Sequence, residues 1–342
     1  MFLESLWFVL WGTLWAIYFI LDGFDLGMGT LMPFLAENEQ EKRTIYNAAA
    51  PFWDGNEVWL ITAGGVTFAA FPKAYAVMFS ALYAPLLLLL FALIFRAVSF
   101  EFRNKIESAA WRKLWDTFLF LGSFIPALLL GVAFANLFQG IPVDGDGVYH
   151  GNLIKLLNPY GLLGGALFVL MFCLHGALWL AIKSSGRIHE KAMCAARGLW
   201  PYMLAAAVAF LAATAVYTDL YHNYLSVPAL MVIIVLAVVS LFVTRLFIAA
   251  DSAPLAWTSS AVTIFCCTLF GVVGMYPALI PSSIENIYSV TIHNGASSTL
   301  TLQIMLGVVL IFVPIVIFYQ AWAYRVFSFK ITDKDLASDE AY

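Results

Sequence analysis

Charge is the scarcest commodity in this chain: only 11% of its 342 residues are Asp, Glu, Lys or Arg, against about a quarter in a soluble domain. Too few polar side chains remain to cover a water-soluble globule of this size, which excludes a soluble enzyme, a nucleic-acid binder and a disordered scaffold. Positive charge is not in excess either, because the formal net charge is −4, and a general phosphate-binding role is excluded with it. Cysteine is rare. Cys173, Cys194, Cys266 and Cys267 contain no CxxC spacing, so neither a disulfide framework nor a zinc site is indicated. Histidine is nearly absent too. His150, His189, His222 and His293 fall in loops or near their edges, and His175 in FCLHGALWL is the one clearly inside an apolar run.

What the chain has is apolar length. A bilayer core of about 30 Å needs roughly 20 apolar residues per helix, and nine such windows can be cut between polar seams. They run from Leu3 to Met32, Phe52 to Phe71, Tyr75 to Phe100, Trp115 to Leu137, Tyr160 to Ile182, Trp200 to Tyr217, Val227 to Ala250, Trp257 to Ile280 and Thr299 to Tyr324. The fold class is therefore all-α, a polytopic transmembrane bundle. The first window lacks a basic leading segment and a small-residue cleavage site, and is read as a retained span. With the N-terminus outside, 15 of the 17 basic residues lie in or beside cytoplasmic loops and the C-terminal tail, the last being Lys334, and only Lys73 and Lys155 do not. A miscounted helix would scramble that asymmetry, so parity supports nine crossings, N-terminus out and C-terminus in. The longest connection, Phe138 to Pro159, is read as a surface loop, and the polar tail from Thr332 to Tyr342 as frayed. The tryptophans near window ends, among them Trp7, Trp11, Trp115, Trp200 and Trp322, are read as an interfacial belt.

Ionisable groups at membrane depth need a reason, since each costs about 2.5–3.5 kcal/mol at a helix centre even on a lenient scale. Asp22 and Asp25 in DGFDLGMG are three residues apart and share one face of the first helix, where Gly23, Gly27 and Gly29 permit a close neighbour. The second window is purely apolar only from Trp59 to Phe71 and must recruit PFWDGNEV to span. That draws Asp54 and Glu57 into the membrane, with Pro51 expected in the first helical turn. Glu101, in FRAVSFEFR, reaches the same level from the third window. Two readings stand for these five acids: helix-end capping and ion pairing with Arg96 or Arg103, or a proton route with Asn47, Asn56, Thr62 and Ser99 as relays. A secondary transporter would also bury acids, but nearer the midplane.

The motifs GFDLGMG, N-x-x-x-P-x-WDGNEVWLITAGG, FRAVSFEFRNKIE, GSFIPALLLGVAFANLFQGIP, LLNPYGLLGG, MYPALIPSS and ASSTLTLQIM, in this order, resemble subunit II of cytochrome bd-type quinol oxidases along essentially the whole chain. That resemblance implies one integral membrane domain made of two four-helix bundles (1–137 and 160–280) and one extra helix (299–327). It implies a pseudo-symmetric partner, subunit I, that holds two b-type haems and one d-type haem, oxidises quinol at the outer face and reduces dioxygen to water with cytoplasmic protons. A small single-helix accessory subunit and bound lipid are further expected partners, in a bacterial cytoplasmic membrane. By the same resemblance Asp22, Asp25, Asp54 and Glu101 belong to a proton route, to which the burial argument adds Glu57. Trp59 is expected to line a path for dioxygen. Glu101 stands where relatives have aspartate, and the outer segment from Asp219 to Ser226 is short. With a single histidine inside a helix, this polypeptide is expected to ligate no haem itself.

Overall fold

The computed structural model describes residues 2–336; the end of the tail, 337–342, and the side chains of Asp333 and Lys334 lie outside the described residues. The first window forms α1 (Phe2–Leu35), followed by a short polar helix, α2 (Glu39–Ala49), whose cap Asn38 accepts from the Glu41 amide. The second window forms α3 (Trp53–Ala70). Pro51 lies in the turn between α2 and α3 instead of the first turn of α3, where its missing amide helps to end α2. The third window is broken at Leu82 into α4 (Pro72–Ala81) and α5 (Tyr83–Phe102), because Pro85 cannot donate to the Ala81 carbonyl and its ring crowds that group.

Then follow α6 (Ala109–Gln139), α7 (Leu153–Leu156) in the long connection, α8 (Pro159–Lys183), α9 (Gly186–Tyr217), α10 (Tyr221–Ser226), α11 (Met231–Ala249) and α12 (Ala253–Met275). The chain next forms an antiparallel pair, β1 (Ala278–Ile280) and β2 (Val290–Thr291), then α13 (Ile292–Gly295), α14 (Thr299–Val326) and α15 (Asp333–Leu336). Two window edges move for physical reasons. Tyr276 precedes a proline and takes up an extended conformation, so α12 stops short of Ile280. Helix α9 begins at Gly186 and not Trp200, because Ile188, Ala192, Met193 and Ala196 give its polar start a buried face.

Among the described residues, eight helices are long and apolar enough to cross a membrane: α1, α5, α6, α8, α9, α11 with the short 3-10 turn before it, α12 and α14. Helix α3 falls below that measure because Asp54, Asn56 and Glu57 occupy its first turns. Helix α8 is the hub, with α1, α6, α9 and α12 packed around it. It reaches α1 closely where Gly27 and Gly176 face each other: a Cβ on Gly27 would sit 1.8 Å from the Phe172 carbonyl oxygen. Small residues at such a crossing let backbones meet without side chains between them. Gly122 does the same for α6 against the backbone at Arg96 of α5.

Part of the expected aromatic belt is core. Trp7 donates its indole N–H to the Leu302 carbonyl and Trp11 to Thr67 Oγ1, both rings being buried, whereas Trp322 is exposed as expected. Helix α14 stands at the edge, with Leu302 its one buried residue. The chain after it is tied back by Lys183 at the end of α8, whose ammonium donates to the Phe327 and Phe329 carbonyls. The tail's first turn is ordered, since Asp335 accepts from both the amide and the hydroxyl of Thr332.

Candidate functional site

Three helices bring the acids together. Asp22 and Asp25 project from α1 and are buried, as is Arg96 from α5, while Glu57 from α3 is partly open. Arg96 Nη2 lies 2.6 Å from Asp22 Oδ1 and 2.5 Å from Glu57 Oε1, so one guanidinium serves two carboxylates. Among the described residues no cation pairs with Asp25; its Oδ2 accepts a 2.7 Å hydrogen bond from Asn56 Nδ2. Among the described residues, Asp22 Oδ2, Asp25 Oδ1, and Nε and Nη1 of Arg96 are buried without a hydrogen-bond partner. Three carboxyls around one cation, with polar atoms to spare, can hold and pass a proton, and this is the chemistry the arrangement offers.

The network extends to α14. Asn56 Oδ1 accepts from Tyr324 Oη at 2.8 Å and from Gln320 Nε2 at 3.2 Å, and Gln320 Oε1 accepts from the Trp59 indole at 2.8 Å. Trp59, expected beside a gas route, is thus buried and turned toward α14. A separate apolar groove of about 610 Å³ opens between α3 and α5, lined by Leu60, Gly64, Leu86 and Leu89 with Trp11 and Trp15 on its floor.

The structure does not gather all five expected acids. Asp54 and Glu101 are exposed, at the start of α3 and the end of α5. Of the expected relays, Asn56 joins the cluster, while Thr62 and Ser99 donate to carbonyls one turn back in their own helices. Asn47 likewise donates to the Arg43 carbonyl. Arg103 holds Glu39 at 2.7 Å and Asp116 at 2.6 Å, and Lys42 reaches Asp116 at 2.8 Å. Glu39, Asp116, Gln320 and Tyr324 were not singled out from the sequence. The signal for the last two was a Gln and a Tyr one turn apart, on one face of a mostly apolar helix.

A second ionic layer lies just outside the spans, between the α1–α2 turn and the start of α9. Lys191 bonds Glu37 at 3.0 Å and Glu41 at 2.8 Å, and Arg187 bonds Glu37. Burial opposes ionisation of Glu41, but the Glu37 amide and Lys191 outweigh it and hold the carboxyl below its ordinary range. The hydrogen bond from Lys191 does the same for Glu37.

His175 does not fit an axial haem ligand. Its Nε2 lies 3.1 Å from the Ile20 carbonyl oxygen and its Nδ1 3.1 Å from Ser260 Oγ. A carbonyl only accepts, so Nε2 carries the proton and Nδ1 accepts from the serine; neither nitrogen is left for iron. Among the described residues there is no group of three or more His, Cys, Asp or Glu side chains that could hold a metal ion.

A multi-helix membrane protein with a buried carboxylate and guanidinium cluster near one end of its bundle is thereby defined. Residues 3–327 match the family model described as cytochrome bd terminal oxidase subunit II, and the chain belongs to that family. It is 37% identical to the cytochrome bd-I ubiquinol oxidase subunit 2 of Escherichia coli strain K12, covering 98% of this chain and 96% of that one. It is 34% identical to the cytochrome bd ubiquinol oxidase subunit 2 of Bacillus subtilis, covering 97% and 98%. The fold resembles the bd oxidase structure from Geobacillus thermodenitrificans with a TM-score of 0.75 at 17% identity, covering 96% of this chain and 99% of that one.

Proposed function

We propose that this chain, a multi-pass inner-membrane subunit of a quinol oxidase, carries protons from the cytoplasm through the Asp22, Asp25, Glu57 and Arg96 cluster toward the site of dioxygen reduction. The observation that carries this reading is the imbalance of three membrane-depth carboxyls around a single guanidinium. Ion pairing alone needs one acid per cation; the surplus acid is what a relay requires. Asp54 and Glu101, exposed on the same end, are the entry groups, and the exposure of Asp54 beside the half-open Glu57 favours a protein neighbour on that face, because lipid would penalise both.

That neighbour is the haem-bearing subunit I, with two b-type haems and one d-type haem, in line with a His175 already bonded at both nitrogens. The groove between α3 and α5 is an apolar route for dioxygen toward the partner; Trp59, turned toward Gln320 of α14, stands apart from it. Nine crossings, eight long helices plus α3, set the N-terminus outside and the C-terminus inside, grouped as two four-helix bundles and one extra helix. Quinol oxidation outside and proton uptake inside then generate a potential without a pump. An accessory single-helix subunit and lipid complete the assembly.

The test is substitution of the acids by their amides in the complex purified through a tag on this chain. Asp25→Asn, Asp54→Asn and Glu101→Gln are expected to give haem-replete complexes with slowed oxygen consumption. Full turnover in all three returns the acids to a purely structural role.

A further inference from the structure

We propose that Asn56 is a positioning residue for Asp25, confining the acid's proton to Oδ1 and linking that choice to the seating of α14. The inference rests on the proton-route reading above and deepens it. Every hydrogen-bonding capacity of the Asn56 amide is in use: Nδ2 donates to Asp25 Oδ2 at 2.7 Å and to the Leu21 carbonyl at 3.1 Å, and Oδ1 accepts from Tyr324 and Gln320. A flipped amide would set its oxygen against the Leu21 carbonyl, acceptor against acceptor, so the orientation is fixed.

Asp25 Oδ2 therefore always meets a donor. An O–H on that oxygen would oppose the amide N–H, so a proton taken up by Asp25 goes to Oδ1, which is buried and has no hydrogen-bond partner among the described residues. The charged and titratable groups facing Asp25 are Asp22 on its own helix, Glu57 from α3, Arg96 from α5 and Tyr324 from α14. Arg96 spends its short contacts on Asp22 and Glu57, which leaves Asp25 the carboxyl able to be neutral. The oxygen of the same amide holds α14, itself almost unburied, through Tyr324 and Gln320. Tilting α14 therefore turns the amide that orients the acid.

Infrared spectroscopy of the intact oxidase complex reads this directly. The C=O stretch of the protonated carboxyl is assigned by its disappearance in Asp25→Asn. Asn56→Ala is expected to shift that band, retain the haems and lower turnover about ten- to a hundredfold, the effect of one hydrogen bond to a charged group. Tyr324→Phe, which removes a single hydroxyl, shifts the same band by less and carries the test if Asn56→Ala does not assemble. A band unmoved in Tyr324→Phe and in any assembled Asn56→Ala overturns the proposal, as does a spectrum in which Asp25→Asn removes no protonated carboxyl. Unchanged turnover in Asp25→Asn instead refutes the proton route, and the band shift still decides where the proton sits.

Discussion

Replacing Arg96 by Gln removes the guanidinium that now reaches Asp22 at 2.6 Å and Glu57 at 2.5 Å. Breaking a buried ion pair from one side costs about 3–5 kcal/mol, because the survivor stays charged in a poor solvent. The Glu57 side chain is 23% exposed and keeps some hydration, so the expected loss lies at the low end, about 3 kcal/mol, or roughly a hundredfold in the folded ratio. Cys173 and Cys266 are buried free thiols, and their labelling by a thiol-reactive dye reports opening of the solubilised complex during denaturation. Adding Asp22→Asn to Arg96→Gln removes the fully buried carboxylate and is expected to recover most of the loss. An Arg96→Gln protein as stable as the parent would falsify the argument, and so would a double variant no more stable than the single one.

Other outcomes follow from the same geometry. Gly27→Leu drives a side chain into the Phe172 carbonyl; overpacking of this kind costs about 1–3 kcal/mol or more, and assembled complex recovered from membranes is expected to fall accordingly. His175→Gln orphans its Ser260 or Ile20 partner at about 1–3 kcal/mol, lowering thermal stability while the optical haem spectrum per complex stays the same. Loss of a haem band would refute the assignment of both ring nitrogens. Glu37 and Glu41 have lowered folded pKa values, so the stability they lend is complete above the ordinary glutamate range and vanishes as pH falls through the lowered values. Hydrogen exchange at the start of α9 should accelerate in that acid window, and Lys191→Met should weaken the transition and move it to higher pH, the Glu37 amide and Arg187 keeping part of it.

Much of this was legible from residue order alone. Apolar length located the helices because lipid leaves backbone groups no partner outside the helix; the shortness of the apolar run after Trp59 drew Asp54 and Glu57 inward, and of these two the fold covers Glu57 in part and leaves Asp54 exposed. The edges were less legible. Pro85 in a continuous leucine run gives no change in hydropathy, yet it divides α4 from α5. Charged starts such as 186–199 read as loop because their buried face appears only once α9 packs on α8. The site was half visible: spacing paired Asp22 with Asp25, but the partners of Arg96 and the contacts of Gln320 and Tyr324 join residues 39 to 268 positions apart, which no local pattern encodes. Trp7 and Trp11 looked interfacial because position near a helix end does not reveal what lies beside it.

Helix α14 has one buried residue and is held mainly by polar contacts: the Leu302 carbonyl to Trp7, the Gln320 and Tyr324 side chains to Asn56 and Trp59, and, just past its end, Lys183 to the Phe327 and Phe329 carbonyls. During synthesis the preceding helices can therefore finish their mutual packing before α14 emerges from the ribosome. Its arrival then acts as a stitch, closing the amide around Asp25 only once a segment 268 positions beyond Asn56 has been made, so a nascent subunit holds an unfinished acid cluster through the synthesis of all the helices in between.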